Sequence, residues 1–231
     1  MEYTANSDKI TRDYFDSLLI EPRYIDSDLP STKFELYGKT FDTPIMTAAL
    51  SHLGNTAENG MVIYAQAAAK ANAVHWVGMG EDKELEDICV TGAATIKIIK
   101  PHADNKEVFR KIEHAKKAGC KGIQLSHHHG IMSYAVPPLM MLKEILEVVR
   151  GEIPVFIDCG IESGMDVYKC LALGATAVSV GRHLMPLLKK GPDATADRIK
   201  EMTGQLAATM ARTGVKDLNS FDSSVIHQRK F

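Results

Sequence analysis

Short apolar runs alternate with longer amphipathic stretches along most of the chain, beginning near Pro44. This alternation is typical of strands joined by crossover helices in a parallel sheet. The pattern predicts six strands, at Pro44–Ala49, Ala73–Gly78, Thr95–Ile99, Gly122–Ser126, Pro154–Asp158 and Ala177–Gly181. It predicts helices at Ala57–Ala71, Asp82–Val90, Lys106–Ala118, Leu139–Val149, Gly164–Leu173 and Asp193–Thr213. The predicted fold class is therefore α/β, built from repeated βα units.

The segment before the first predicted strand has a different character. Asp13–Thr43 contains Pro22 and Pro30, and a Tyr37-Gly38-Lys39 turn separates two short extended pieces. We therefore divide the chain into an N-terminal lead-in, residues 1–43, and a β/α barrel with a C-terminal helix, residues 44–231. We expect the lead-in to cover the bottom of the barrel.

Composition narrows the class of partner. With 231 residues and 45% hydrophobic content, the chain can bury one sizeable core. Two domains of about 110 residues each would also fit this length, but no Pro/Gly/Ser-rich linker divides the sequence. The formal net charge of -2 and the scattered Lys and Arg residues do not predict a nucleic-acid-binding surface. We expect a small-molecule substrate instead.

Apolar stretches and cysteines bear on the compartment. No apolar stretch of the sequence reaches transmembrane length, and Met1–Ile20 lacks the apolar core of a signal peptide. Cys89, Cys120, Cys159 and Cys170 do not have the short paired spacing of a zinc site. We therefore expect a cytoplasmic protein with free thiols, no membrane partner and no metal.

The stretch IPVFIDCGIESGMDVYKCLALGATAVSVGRHLM contains the clearest candidate site. Its first strand ends in Asp158, a loop with Gly160 leads into a helix at Gly164, and the next strand ends in Gly181-Arg182. Glycines let backbone N–H groups approach an anion, a helix amino terminus adds partial positive charge, and an arginine can bridge phosphate oxygens. In β/α barrels the loops after the last two strands often bind phosphate. The alternative is that these glycines only form tight turns.

The same stretch resembles the end of the FMN-dependent 2-hydroxy-acid dehydrogenases and oxidases, the family of glycolate and lactate oxidases. The matching positions are Asp158, Gly160, Gly164, Asp166, Val167, Leu171-Ala172-Leu173-Gly174-Ala175 and Gly181-Arg182. The resemblance implies a TIM-type β/α barrel whose last two loops bind the FMN phosphate. It makes FMN the expected cofactor, and its expected binding residues here are Asp158, Gly160, Gly164, Gly181 and Arg182.

Two further segments resemble the same family. YIDSDLPSTKFELYGKTFDTPIMTAALS is similar to the family's lead-in and first strand, which implies that Ala48, Ala49 and Ser51 lie against the flavin ring. IKIIKPHADNKEVFRKIEHAKKAGCKGIQL is similar to the third strand, the helix after it and the fourth strand. The family's flavin-contacting lysine lies in a unit that this chain lacks. Lys100 is a candidate substitute for it, and otherwise an ordinary solvated residue at a strand end.

A histidine-rich loop, LSHHHGIMSYAVPP, follows the fourth predicted strand. In the resembled family this loop contains the active-site base; His128 matches it, and His127 replaces an asparagine. A histidine at the carboxyl end of a strand can take a proton from a substrate hydroxyl while hydride passes to a flavin. The alternatives are that the three histidines are plain loop residues, or that His127 and His129 form an adventitious metal site.

Four departures from the family pattern affect the site more than the fold. Ile131 stands where the family has the arginine that binds the substrate carboxylate. Glu162 replaces an arginine that reaches the FMN phosphate, so its carboxylate must turn away or pair with a cation such as Arg182. Cys159 occupies a glycine position, which suits only a backbone that does not need a positive φ. Finally, six βα units are recognisable where the family has eight.

The shortened barrel leaves its closure and its function with alternatives. Six strands must close more tightly than eight, stay open, or be completed by another chain. We expect a homo-oligomer, because the resembled family commonly forms tetramers or larger rings and exposed edges favour association. The favoured function is oxidation of a small hydroxy substrate by hydride transfer to FMN. The alternatives are a non-catalytic barrel that binds a phosphorylated ligand, and a flavin-dependent isomerase on the same scaffold.

Overall fold

Strands and helices alternate along the chain, as the apolar pattern predicts. The computed structural model describes residues 6–23, 25, 27–78, 80–97, 123–127, 133–149, 151 and 154–229. The strands are β1 (Leu18–Ile20), β2 (Phe34–Leu36), β3 (Lys39–Phe41), β4 (Ile45–Leu50), β5 (His75–Val77), β6 (Thr95–Lys97), β7 (Ile123–Leu125), β8 (Val155–Ile157), β9 (Ala177–Val180) and β10 (Ile226–Gln228). The α-helices are α1 (Ser7–Ser17), α2 (Gly60–Lys70), α3 (Asp82–Cys89), α4 (Pro138–Val149), α5 (Gly164–Ala172) and α6 (Pro192–Arg212). Short 3-10 helices lie at Leu53–Asn55, Met185–Lys190 and Ser223–Val225.

Strands β4 to β9 form one parallel sheet in the order β6-β5-β4-β9-β8-β7. The first of these strands, β4, pairs with the last, β9, through Ile45 and Val178. Joining the first strand to the last gives the circular order of a barrel. The predicted α/β barrel class and all six predicted strands are therefore confirmed. Within the described residues the ladder runs from β6 to β7, and no pairing joins these two end strands.

Five of the six predicted helices are present with small changes at their ends. The helix predicted at Ala57–Ala71 begins later, at Gly60, because the 3-10 turn Leu53–Asn55 and a left-handed residue, Asn59, precede it. The predicted helix Lys106–Ala118 lies outside the described residues.

Side chains of the parallel strands alternate between two hydrophobic cores. Met46, Trp76 and Phe156 point to the inner core, where the rings of Trp76 and Phe156 meet edge to face at 5.5 Å. Their strand neighbours, such as Ile45 and Ile157, pack in the outer core beneath the helices. The period of two in a strand produces this division, and it makes the sheet buried on both faces.

A hairpin of β2 and β3 closes the amino-terminal end of the inner core. Tyr37 and Gly38 form its two-residue turn with φ values of 51° and 75°, the type of turn that matches the twist of a hairpin. Phe34, Leu36 and Phe41 from this hairpin belong to the inner core. The ends of the strands where Asp158 and Gly181 follow therefore face away from the hairpin.

Helix α1 crosses the opposite, carboxyl end of the strands, and the apolar pattern did not predict it. Its buried residues are Ser7, Thr11, Phe15 and Ser17, and three of the four are polar, so a run of apolar positions does not mark this face in the sequence. The side chain of Asn6 caps the helix by accepting hydrogen bonds from the backbone N–H groups of Asp8 and Lys9.

The chain's lead-in and tail meet in a second small sheet. Strand β1 pairs with β10 in antiparallel fashion, with Leu18 opposite Gln228 and Ile20 opposite Ile226. Since β1 follows α1 directly, this pairing holds the carboxyl end of α1. In the part of the chain that the structure describes, no helix combines the length and apolar character needed to cross a membrane.

Candidate functional site

A cavity of about 150 Å³ lies where the loops after β8 and β9 meet α1. Residues from all three elements line it: Asp8, Arg12, Gly160, Glu162, Gly181 and Arg182 are among them. The carboxyl ends of neighbouring parallel strands lie at one edge of a sheet, which is why the two loops adjoin. Gly160, Gly181 and Arg182, singled out in the sequence, are thus brought together.

The loop after β8 has two successive residues in the left-handed region. Cys159 has a φ of 68° and Gly160 a φ of 77°. Glycine adopts this conformation without strain, but for cysteine it costs about 1 kcal/mol. The backbone does therefore need a positive φ at Cys159, and the chain keeps a cysteine there nonetheless. Such a run turns backbone N–H groups toward one side, as in anion-binding loops.

Gly160 is also required by the close approach of α1. A Cβ atom at Gly160 would lie 2.6 Å from Cγ2 of Thr11 and 3.3 Å from two ring carbons of Phe15. Thr11 in turn shares a hydrogen bond of 2.8 Å with Nε2 of His127, at the end of β7. Helix α1 thus touches the loops after both β7 and β8.

Arg12 fastens α1 to the loop after β8 and to the start of α5. Its guanidinium donates to the carbonyl oxygen of Gly160 at 2.8 Å and to both carboxylate oxygens of Asp166 at 2.8 and 3.0 Å. Asp166 also forms a capping box with Ser163 at the amino terminus of α5. The helix start, the glycine loop and α1 are therefore one hydrogen-bonded unit.

Arg182 reaches the cavity from the end of β9 and forms an ion pair with the carboxylate of Asp8 on α1. Glu162 also lines the cavity. Within the described residues, no ion pair joins its carboxylate to Arg182. The backbone of Glu162 donates to Asp166 and accepts from Arg198. Burial and the nearby Arg198 lower the pKa of His183, whose Nε2 accepts a hydrogen bond from Nε of Arg198.

A buried polar cluster lies inside the barrel beneath the cavity. Nε2 of Gln124 donates to Asp158 at 3.0 Å and to Ser179 at 2.5 Å, and the thiol of Cys159 donates to Asp158 at 2.8 Å. Among the described residues, the buried Oε1 of Gln124 has no hydrogen-bond partner. Sequence reasoning missed Gln124; the available signal was a polar residue in the middle of an apolar strand.

The remaining residues singled out in the sequence have different surroundings. The N–H of Gly164 donates to Oε1 of Gln205, and a Cβ at Gly164 would collide with the backbone of α6, so this glycine serves close helix packing. Ala48 and Ala49 lie in β4 and Ser51 directly follows it, with Ser51 packed against Gly78 at the end of β5. Lys100 and His128 lie outside the described residues.

The residues at the cavity fit a phosphate-bearing group. Two residues with positive φ, Cys159 and Gly160, together with Gly181 and Arg182, line a space closed on one side by α1. The two acidic side chains, Asp8 and Glu162, are the elements that do not favour an anion.

Known proteins of similar sequence include hydroxyacid and lactate oxidases. A peroxisomal (S)-2-hydroxyacid oxidase of Arabidopsis thaliana is 41% identical over 102 residues, which are 43% of this chain and 28% of the relative. L-lactate oxidase of a Roseobacter species is 41% identical over 98 residues, which are 42% of this chain and 26% of the relative. The matching regions thus span less than a third of the length of these curated relatives.

Solved structures show the same fold. A mandelate oxidase variant with a monooxide FMN adduct superposes with a TM-score of 0.87 at 22% identity, covering 97% of this chain and 91% of that one. The family model described as FMN-dependent dehydrogenase matches residues 3–121 and again 106–228. The two matches together include nearly the whole sequence. They overlap at residues 106–121, just before the strand after which we expect two βα units to be absent. The chain therefore belongs to the FMN-dependent dehydrogenase family, with FMN as its cofactor.

Proposed function

We propose that the protein oxidises a small hydroxy substrate by hydride transfer to FMN. The observation that carries this proposal is the cavity in which Gly160, Gly181 and Arg182 meet at the carboxyl edge of β8 and β9. Ligand sites of β/α barrels lie at this edge. The names of the similar proteins, hydroxyacid and lactate oxidases, support 2-hydroxy acids as the first substrates to test.

Each part of the site has a role in this proposal. Gly160, Gly181 and Arg182 would hold the FMN phosphate, Asp158 would support their loop from within the barrel, and the end of β4 would lie against the flavin ring. Bound FMN supplies the hydride acceptor. His128 would take the hydroxyl proton of the substrate. Its described neighbour His127 shares a hydrogen bond with Thr11 of α1, the helix that also lines the cavity.

The position at which the resembled family binds the substrate carboxylate differs in this chain. The sequence has Ile131 where the family's arginine would stand. Arg12 cannot replace it, since its guanidinium already binds Asp166, Asp16 and the carbonyl of Gly160. We therefore propose that the protein accepts hydroxy compounds beyond simple 2-hydroxy acids, such as esters and amides of the acid.

Flavin binding tests the cofactor site directly. We expect the purified protein to bind FMN, measured by the absorbance bands between about 350 and 500 nm and by quenching of flavin fluorescence. Riboflavin, which lacks the phosphate, should bind much more weakly. Arg182→Ala should weaken FMN binding by about ten- to a hundredfold, the value of one charge-assisted contact, and leave riboflavin binding unchanged.

A matched control removes an arginine elsewhere. Arg23 lies in an exposed ion pair with Asp222, and Arg23→Ala should leave FMN binding unchanged. Absence of any FMN binding would contradict the proposal and favour a barrel without redox chemistry. With FMN bound, bleaching of the flavin bands by a hydroxy acid under nitrogen identifies a substrate. A bound flavin that no hydroxy compound bleaches would favour the isomerase alternative.

We also propose a cytoplasmic, homo-oligomeric protein. Among the described residues, the exposed Cys89 and the buried Cys159 and Cys170 form no disulfide bond, which suits a reducing compartment. The sheet ends within the described residues at β6 and β7, and such edges favour association. Light scattering of the eluted protein tests this, and a mass near 25.4 kDa would contradict it.

A further inference from the structure

The ion pair between Asp8 and Arg182 crosses the candidate phosphate cavity. Asp8 lies in the first turn of α1 and Arg182 directly follows β9, and both side chains line the cavity. Both are partly exposed, with 39% of the Asp8 side chain and 54% of the Arg182 side chain accessible. The pair is therefore at the cavity mouth, where an entering ligand would meet it.

The first turn of α1 is held in place independently of this pair. Ser7, the residue before Asp8, is buried and its hydroxyl accepts a hydrogen bond from the backbone of Ala135 at 3.0 Å. One turn later, Thr11 and Arg12 contact the loop after β8. The position of Asp8 is thus a consequence of how the helix docks, so its carboxylate is presented to Arg182 by the fold.

Among the described residues that line the cavity, the charges balance. Two are cations, Arg12 and Arg182, and two are anions, Asp8 and Glu162. Arg12 is bound to Asp166, which lies just outside the lining. His183 adds no charge, because its Nε2 accepts from Arg198. These described residues therefore present no net positive charge to a phosphate dianion, and removal of one carboxylate would give them one.

We propose that Asp8 is a built-in competitor of the FMN phosphate, which binds Arg182 by displacing the Asp8 carboxylate. The proposal rests on the proposed function of the cavity. Asp8 occupies the guanidinium when the cavity is empty and turns to solvent when a phosphate replaces it. The affinity for FMN is therefore lower than Gly160, Gly181 and Arg182 would give without Asp8. Entry of the phosphate is coupled to the first turn of α1, which carries Asp8.

Equilibrium binding of FMN and riboflavin to the full chain tests this. Asp8→Asn should tighten FMN binding by about tenfold, since it removes both the competing pair and a like-charge repulsion. It should leave riboflavin binding unchanged, because riboflavin has no phosphate. In an Arg182→Ala background the gain from Asp8→Asn should be clearly smaller, because only the like-charge repulsion is then left to remove.

The control variant removes the same charge from the same helix. Asp13 pairs with Lys9 at 2.5 Å on the exposed side of α1, and Asp13→Asn should not change the affinity for FMN. Equal FMN affinities of the wild type and Asp8→Asn would overturn the inference and leave the proposed function intact. A gain as large for riboflavin as for FMN would also overturn it, as it would show a general effect on the helix. Failure of both proteins to bind FMN would remove the proposed function and the inference together.

Discussion

Arg12 and Asp166 are 154 residues apart in sequence and meet in a two-pronged contact, with N–O distances of 2.8 and 3.0 Å. The Asp166 side chain is only 4% exposed and that of Arg12 is 25% exposed. Two parallel hydrogen bonds to a carboxylate are a geometry that arginine provides and lysine does not. The pair joins the lead-in to the barrel at the edge of the candidate site.

Replacing Arg12 tests how much this contact stabilises the fold. Arg12→Gln should lower the free energy of unfolding by about 2 kcal/mol, measured by urea denaturation. The value lies below the range for fully buried pairs because Asp166 keeps three other donors, from Glu162 and Ser163. Lys9→Gln, which breaks an exposed pair on the same helix, should cost less than about 0.5 kcal/mol. Equal losses of unfolding free energy in the two variants would show that the contact between Arg12 and Asp166 stabilises the fold no more than an exposed ion pair does.

Gly160→Ala should destabilise the protein through two separate effects. The left-handed backbone costs an alanine about 1 kcal/mol, and the collision with Thr11 and Phe15 adds about 1–3 kcal/mol. Gly38 isolates the first effect, since its φ is 75° and a Cβ there would have open space around it. Gly38→Ala should therefore cost only about 1 kcal/mol.

A second-site variant separates crowding from other causes at Gly160. Thr11→Ser removes Cγ2, the atom that a Cβ at Gly160 would meet at 2.6 Å. It should therefore recover part of the stability that Gly160→Ala loses, as measured by thermal unfolding. No recovery in the double variant would refute the view that α1 requires a glycine here.

The hydroxyl of Tyr64 joins two strands at the candidate site. It donates to the carbonyl of Val180 in β9 at 2.5 Å and accepts from the N–H of Ala48 in β4 at 3.0 Å. Tyr64→Phe leaves both backbone groups without this partner and should cost about 1–3 kcal/mol in chemical denaturation. Tyr134 is exposed, and Tyr134→Phe should change stability by less than about 0.5 kcal/mol.

His75 should make the protein sensitive to mild acid. Burial lowers the pKa of this fully buried side chain from 6.5 to about 3, so the folded protein keeps it neutral. The unfolded chain takes up a proton below pH 6.5, and the unfolding free energy then falls by about 1.4 kcal/mol per pH unit. Stability from the neutral His75 is complete above pH 6.5 and is lost as the pH falls toward 3.

Comparison with a variant isolates this contribution. His75→Gln should show a shallower loss of unfolding free energy between about pH 7 and about pH 5, since it lacks the titrating group. His52 is exposed, and His52→Asn should retain the wild-type slope. Parallel curves for His75→Gln and the wild type would contradict the assignment.

His128→Ala tests the proposed base. Loss of a general base lowers turnover by about 10²–10⁴-fold, while flavin should remain bound. His129→Ala supplies the control next to it in the same loop and should retain most activity. Unchanged turnover in His128→Ala would refute the assignment, and loss of flavin would indicate a structural role.

The sequence contains the parts of the fold that depend on local patterns. Strands such as β8 and β9 were predictable because they are short apolar runs, and the meeting of Gly160 with Gly181-Arg182 follows from their places at the ends of adjacent parallel strands. Helix α1 was not predicted, because three of its four buried residues, Ser7, Thr11 and Ser17, are polar and the search followed apolar positions.

Long-range contacts account for the rest. Asp8 and Arg182 are 174 residues apart, and nothing in either local sequence indicates the pair. Gly164 shows the opposite case, in which a matching glycine was expected at the phosphate and instead has its N–H bound by Gln205. A glycine match alone does not distinguish room for a ligand from room for a neighbouring helix.

Trp76 gives the protein an internal optical probe. It is the single tryptophan of the chain, it is 4% exposed, and it lies in the inner core against Phe156 with its indole N–H directed to the sulfur of Met46. Its emission should therefore be that of a dry environment while the barrel is folded and should shift to longer wavelength when the inner core opens. A flavin bound at the carboxyl edge would absorb part of this emission. The fluorescence of one residue would therefore report both whether the barrel is folded and whether flavin is bound.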